Sequence, residues 1–238
     1  MTPAMTLARP LAARVEGLPA PAALPPGPPL PAAALEAACA ALDAGKTHYT
    51  DRPGILPLRE WVSAYLRERY GLDISPDAVT ITCGGTEARF VAVKKLAPAG
   101  TVIVCPGDAA RMAGAAHLCG VTLATQATEP DAVSALYLTP ADPLAVSEPL
   151  LAMARERGWW VIWDTSGAPA GDFHPAQDAA LAPQTITLGS LSDYLPGWRV
   201  GWMAGSRRAA ELRAFKQSMT ICSVSISQWA AAGLVEAL

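Results

Sequence analysis

The sequence predicts an α/β fold: three layers, with helices on both faces of a mainly parallel sheet. Three observations predict it. Short, continuous apolar runs such as 159–163 alternate with longer segments of helical spacing, the pattern of strands buried on both faces. Glycine closes several of the helical segments, as at Gly45 and Gly71. The chain has 238 residues, of which 51% are hydrophobic and 16% charged. That supports one sizeable core and excludes wholesale disorder.

The elements follow in order. Residues 1–31 are rich in Ala, Pro and Leu and contain the run Pro25-Pro26-Gly27-Pro28-Pro29. Proline at that density blocks helix and sheet ladders. This stretch is read as an N-terminal arm, ordered only where it packs on something, and 32–238 as one domain. Pro31 stands where a first helical turn begins, so a helix is expected over 32–44. Pro57 opens a second, in which Leu58, Trp61, Val62, Tyr65 and Leu66 recur at helical spacing. Alternation then sets in, with strands expected over 78–82, 101–105, 121–126 and 134–138 and helices over 86–96 and 109–119. Ser147 is expected to cap a helix reaching Arg157, with Glu148 and Pro149 in its first turn. Strands follow at 159–163, 185–189 and 199–204, and two helices finish the chain.

Composition excludes several functions. Net charge is −3, from 18 basic and 21 acidic residues, with no basic stripe, which argues against nucleic-acid binding. Without a run of about 18 apolar residues, no transmembrane helix is expected. Cys39, Cys83, Cys105, Cys119 and Cys222 are scattered, and only His48, His117 and His174 offer imidazole. Neither a zinc site nor a disulfide framework is expected; buried, reduced thiols in a cytoplasmic protein are. Arg9 and Arg14 are not followed by the apolar stretch of a secretory signal.

In parallel sheets, ligands bind beyond the carboxyl ends of the strands. The segments there are 84–87, 106–108, 139–143, 164–167 and 190–199. Cys83-Gly84-Gly85-Thr86-Glu87 follows a strand and opens a helix, so backbone N–H groups and the helix dipole favour an anion. Asp164 ends a very apolar strand, where it serves as a cap or meets a cation. Ser190-Leu191-Ser192-Asp193 and Pro196-Gly197-Trp198-Arg199 bracket one short loop and bring hydroxyls and a guanidinium to the same edge.

Together, and in this order, these pieces resemble the class I/II aminotransferases of the pyridoxal-phosphate fold type I superfamily, over roughly residues 32–238. The resemblance is densest at Gly45-Lys46-Thr47-His48-Tyr49-Thr50, Gly54-Ile55-Leu56-Pro57-Leu58-Arg59, the Gly-Gly-Thr-Glu-Ala run from Gly84, and Pro196-Gly197-Trp198-Arg199-Val200-Gly201-Trp202. It implies the large domain of that family. It implies that Gly85, Thr86, Ser190 and Arg199 hold the cofactor phosphate, and that Tyr49 reaches the phosphate of a neighbouring subunit. It implies that Asp164 faces the pyridine nitrogen, which would make the ring an electron sink.

Departures from the pattern accompany these matches. Asp193 stands where the family has its Schiff-base lysine, and the loop from there to Pro196 is short. Only Lys46, Lys94, Lys95 and Lys216 are present in the chain. Asp142 stands in place of an asparagine beside the ring oxygen, and Gly167 in place of a tyrosine. The aromatic that stacks on the ring is missing near Asp108. The family's smaller carboxy-terminal domain, whose arginine grips the substrate carboxylate, is expected to be absent.

Three readings stay open. One is a binding or partner subunit that keeps the phosphate contacts and does not transaminate alone. Another is a biosynthetic enzyme of altered, lysine-independent chemistry on an amino-acid-derived substrate, with Asp193 and Asp142 as acid and base and Asp108 or His174 assisting. The third is a structural relic, or a fragment completed by another chain. Pyridoxal or pyridoxamine phosphate bound non-covalently, or no cofactor, is the matching expectation. A homodimer, or a heterodimer with a complete aminotransferase, is expected to form on Trp61, Tyr65 and Trp229.

Overall fold

The computed structural model describes residues 27, 29–167 and 171–237. Most of the Pro/Ala-rich stretch 1–31 lies outside them. Within its described end, Leu30 is partly buried against the core.

Helix α1 spans Ala32–Asp43 and α2 spans Leu56–Tyr70, each beginning at a proline and α2 ending at the left-handed Gly71. The remaining elements are β1 (Val79–Thr82), α3 (Gly84–Leu96), β2 (Val102–Val104), α4 (Ala110–Cys119), β3 (Thr122–Ala124), β4 (Val133–Leu138), α5 (Leu144–Arg157), β5 (Trp160–Asp164), β6 (Thr185–Ser190), β7 (Gly201–Ala204), α6 (Ala209–Thr220) and α7 (Ser225–Glu236). The seven strands form one sheet in the order β1-β7-β6-β5-β4-β2-β3. All pairings are parallel except those that β7 makes with β1 and β6.

Alternation along each central strand sorts the side chains into two cores. Ala135, Tyr137 and Ile162 join α3 and α4 on one face. Leu136, Leu138, Val161 and Trp163 join α5 on the other. A third cluster seats α1, α2 and α7 on the β1–β7 end of the sheet. Two glycines let layers meet closely. A Cβ on Gly189 would lie 2.2 Å from the Trp202 ring across the β6–β7 pair. One on Gly201 would lie 2.6 Å from the Gly84 carbonyl carbon, so β7 starts directly beneath the turn into α3.

Several sequence expectations are corrected. Ser147 does not cap α5, which starts earlier at Leu144 after Pro143; Ser147 is buried inside it, and Pro149 lies inside the helix. Only Cys105 and Cys119 are buried thiols, whereas Cys39 is exposed and Cys83 and Cys222 are half-buried. Trp61, Tyr65 and Trp229 are partly buried within the chain itself. Trp61 and Tyr65 stack on each other at 5.6 Å, and the Lys46 ammonium lies 3.6 Å from the Trp229 ring centre. The large apolar residues left exposed near the 46–56 segment and α7 are Tyr49, Leu56, Ile221 and Val224 instead.

Candidate functional site

The turn between β1 and α3 is built to leave backbone N–H groups unpaired. Gly84 takes φ +77°, a conformation that L side chains rarely adopt. Thr82 Oγ1 donates to the Gly84 carbonyl at 3.0 Å, and Glu87 reaches back to accept from the Cys83 N–H at 2.6 Å. The next N–H groups open α3 and have no partner within the helix. Arg199 comes to them from the end of the loop between β6 and β7. Its backbone is left-handed, φ 58°, an uncommon conformation for a residue with a side chain. Its Nη2 donates to Thr86 Oγ1 at 3.2 Å and to the Cys83 carbonyl at 3.3 Å. A Cβ on Gly84 would stand 2.8 Å from the guanidinium carbon, so glycine there is what lets the arginine lie on the turn.

Ser190 ends β6 on the same side of the sheet. Its Oγ accepts from the Ser192 N–H at 3.1 Å, and Leu191 N–H donates to the Val200 carbonyl at 3.0 Å. Leu195 to Trp198 then closes a tight turn, Trp198 N–H to Leu195 carbonyl at 3.3 Å, with Gly197 at φ 85°. Asp193 is exposed on this loop, and no described hydrogen bond or ion pair joins it to Arg199 or to Asp142. The arginine is therefore not neutralised by its loop neighbour.

Asp164 lies at the carboxyl end of β5 and is 0% exposed. Its Oδ2 accepts from Arg89 Nη1 at 2.7 Å and from the Tyr137 hydroxyl at 2.9 Å, and its Oδ1 accepts from the Ser166 N–H at 2.9 Å. Burial together with the adjacent carboxylate pushes the Tyr137 phenol well above its ordinary range, so it stays a donor. Arg89 belongs to α3, one turn beyond Gly85. A Cβ on Gly85 would lie 3.0 Å from Ser166 Oγ and 3.2 Å from Arg89 Nη1. Arg111 of α4 arrives from the other side, donating to the Ser166 carbonyl at 2.5 Å and packing on Gly167, φ +69°.

The remaining sequence candidates are engaged locally. Asp142 Oδ2 accepts from the Thr139 N–H at 2.6 Å and the Thr139 hydroxyl at 3.0 Å, and its Oδ1 lies against Gly107. Asp142 follows β4 and Asp193 follows β6, with β5 between, which sets the two strand ends about 10 Å apart. Asp108 accepts from the Ala110 N–H at the start of α4. His174 uses both ring nitrogens, accepting from the Ala176 N–H and meeting Thr187 Oγ1 at 3.0 Å; burial pulls its pKa down to about 3. Tyr49 is 70% exposed, beside His48 and the start of α7. Among the described residues no cluster of His, Cys, Asp and Glu has the makings of a metal site.

Sequence reasoning missed Arg89, Arg111, Tyr137, Ser166 and Lys216. Lys216 of α6 is 0% exposed, with no hydrogen-bond partner for its amine. Burial lowers its pKa, and nearby Glu87, Cys83 and Cys222 oppose that shift. A signal existed for Arg89: it shares the inward stripe of α3 with Gly85, Ala88 and Ala92, and an arginine in such a stripe requires a buried acceptor.

The sheet is mainly parallel, and a glycine turn and an arginine meet at its strand ends. No protein-family model matches the chain. By sequence it is 27% identical over 209 residues to the (5-formylfuran-3-yl)methyl phosphate transaminase of Methanocaldococcus jannaschii, covering 80% of this chain and 56% of that protein. It is 27% identical over 239 residues to the aspartate aminotransferase of Thermotoga maritima, covering 87% of this chain and 63% of that protein. Its fold superposes on the N-succinyldiaminopimelate aminotransferase of Mycobacterium tuberculosis with a TM-score of 0.75 at 24% identity, covering 99% of this chain and 70% of that one. The chain is a relative of the class I/II aminotransferases, built on their large-domain fold. It spans about 56–63% of the length of those two sequence relatives.

Proposed function

We propose that this chain is a binding or partner subunit on an aminotransferase fold, retaining a phosphate cup and not transaminating. The observation that carries the reading is where its lysines are. The position that the resemblance gives to the Schiff-base lysine holds exposed Asp193. Lys46 sits on Trp229, Lys95 leans toward Phe215, Lys94 is in the last turn of α3, and Lys216 is sealed in α6. A carboxylate forms no imine. Asp142, the second candidate of the altered-enzyme reading, is turned onto Thr139, which favours the binding reading.

The fit of pyridoxal phosphate divides in two. Gly85, Thr86, Ser190 and Arg199 suit the phosphate: a helix N-terminus, hydroxyls and a guanidinium that is in no ion pair among the described residues. The ring end does not suit. Asp164, the residue that would face the pyridine nitrogen, is already compensated by Arg89 and capped by Tyr137 and Ser166. A protonated ring nitrogen would be a second cation on a sealed, neutralised carboxylate. No reaction step is therefore routed through that cofactor.

Assembly belongs to the same reading. Tyr49, Leu56 and Val224 are 70%, 44% and 57% exposed. They line adjoining shallow grooves between the 46–56 segment and the start of α7. This face suits a homodimer or a heterodimer with a complete aminotransferase.

The test is a turnover assay with pyridoxal phosphate, common amino-acid donors and an oxo-acid acceptor. The wild type is expected to show no turnover, and Asp193→Lys is expected not to restore it, because Arg89 still occupies Asp164 and Gly167 stands where the ring-contacting tyrosine would be. Turnover by the wild type overturns the reading.

A further inference from the structure

The ring end of the cup is closed by a guanidinium, and we infer that the site selects a phosphate monoester with an oxygen-rich, uncharged or anionic remainder. This rests on the reading of the α3 turn as a phosphate cup and names the ligand class that such a cup accepts.

Charge is the first argument. Arg89 and Asp164 cancel each other, with side-chain exposures of 10% and 0%. Arg199 donates to a hydroxyl and a carbonyl, and Arg111 to the Ser166 carbonyl; neither is in an ion pair among the described residues. The cup and its margin thus carry two guanidinium charges with neutral partners. A pyridinium would meet the Arg89 guanidinium at Asp164 and Arg111 beyond it. An anionic phosphate meets Arg199 and the N-terminus of α3.

Hydrogen bonding is the second argument, and it is independent. Ser166 is 5% exposed and its Oγ has no partner; the Arg89 Nε–H is likewise buried and unpaired. Buried polar groups are seldom left so, and each such group points to something that satisfies it. Ser166 Oγ and the Arg89 guanidinium lie beside Gly85, where even a Cβ would come within 3.0 Å of Ser166 Oγ and 3.2 Å of Arg89 Nη1. Both can donate to an oxygen. A hydroxyl or carboxylate oxygen on the ligand answers both, whereas a protonated ring nitrogen, itself a donor, leaves the Arg89 Nε–H unpaired.

The experiment is calorimetric titration of the full chain with inorganic phosphate, glycerol 3-phosphate and pyridoxamine 5′-phosphate. The wild type is expected to bind all three, with glycerol 3-phosphate tighter than pyridoxamine phosphate. Arg199→Gln is expected to weaken all three by at least tenfold. Arg89→Leu leaves a buried carboxylate unpaired and is prone not to fold. The isosterically milder pair Arg89→Met with Asp164→Asn removes both charges together. In that variant inorganic phosphate is expected to bind within threefold of wild type, and glycerol 3-phosphate to weaken by more than that. A wild-type preference for pyridoxamine phosphate over glycerol 3-phosphate overturns the inference, as does failure of the wild type to bind any of the three. These readouts do not depend on turnover. A chain that transaminates overturns the functional reading, whereas an inert chain that prefers the pyridine ligand overturns only this inference.

Discussion

Arg89 and Asp164 form an ion pair in which both side chains are buried, and the site is organised around it. Such a pair contributes little net stability compared with apolar residues, but breaking it from one side leaves an uncompensated buried charge. Arg89→Leu alone is therefore expected to cost about 3–5 kcal/mol. The double change Arg89→Met with Asp164→Asn is expected to recover most of that. Chemical denaturation of the three proteins checks it, and equal losses in single and double variants would contradict the pairing. At this scale the sequence was informative where a residue sits in a run of local signals. Gly84, Gly85 and Thr86 follow a strand and open a helix, and Arg199 sits after a Pro-Gly turn, so their meeting was legible. Asp164 was legible as a strand-end carboxylate, but its partner was not. Arg89 is 75 residues away in sequence, and only the packing of α3 on β6 and β7 brings it to the end of β5. Lys216 gave no signal, because the amphipathic pattern of α6 places a lysine where its stem packs and its amine is sealed.

At the scale of elements, most strands and helices were legible because their apolar runs and their closing glycines are strong. The antiparallel insertion of β7 between β1 and β6 was not legible. Pairing direction is set by the connections, and the short loop between β6 and β7 is too brief for a crossover helix. Ser147 misled for a local reason: a serine followed by Glu-Pro mimics a helix start, yet α5 already begins after Pro143. The tightest helix pair is α1 on α7, and Gly233 makes it possible. A Cβ there would lie 2.3 Å from the Ala37 Cβ and 2.8 Å from the Ala33 carbonyl oxygen. Gly233→Ala gains about 1 kcal/mol in helix propensity. Overpacking against backbone costs more than that, up to about 3 kcal/mol. The expected outcome is a net loss of about 1–2 kcal/mol in denaturant melts. A gain in stability would show that α1 moves away at little cost.

At the scale of the whole molecule, the fold class and the family likeness were legible, and the surface was not. Trp61, Tyr65 and Trp229 suggest an interface by size alone, but they pack against their own chain because α2 and α7 share one cluster. Exposure passes instead to Tyr49, Leu56 and Val224, whose positions depend on how the 46–56 segment runs beside α7. Light scattering at micromolar concentration is expected to give a dimer, and Tyr49→Glu with Val224→Glu to give a monomer; a strictly monomeric wild type with no partner would contradict this. Among the described residues no helix is long and apolar enough to cross a membrane. The central claim is that the phosphate end of an aminotransferase site survives here without an amine to bond the cofactor. It is tested most directly by incubating the protein with pyridoxal phosphate, reducing with borohydride, and mapping the modified peptides by mass. No stoichiometric label is expected on any of Lys46, Lys94, Lys95 or Lys216. One phosphopyridoxyl group fixed on a single lysine, blocked by Arg199→Gln, would contradict it.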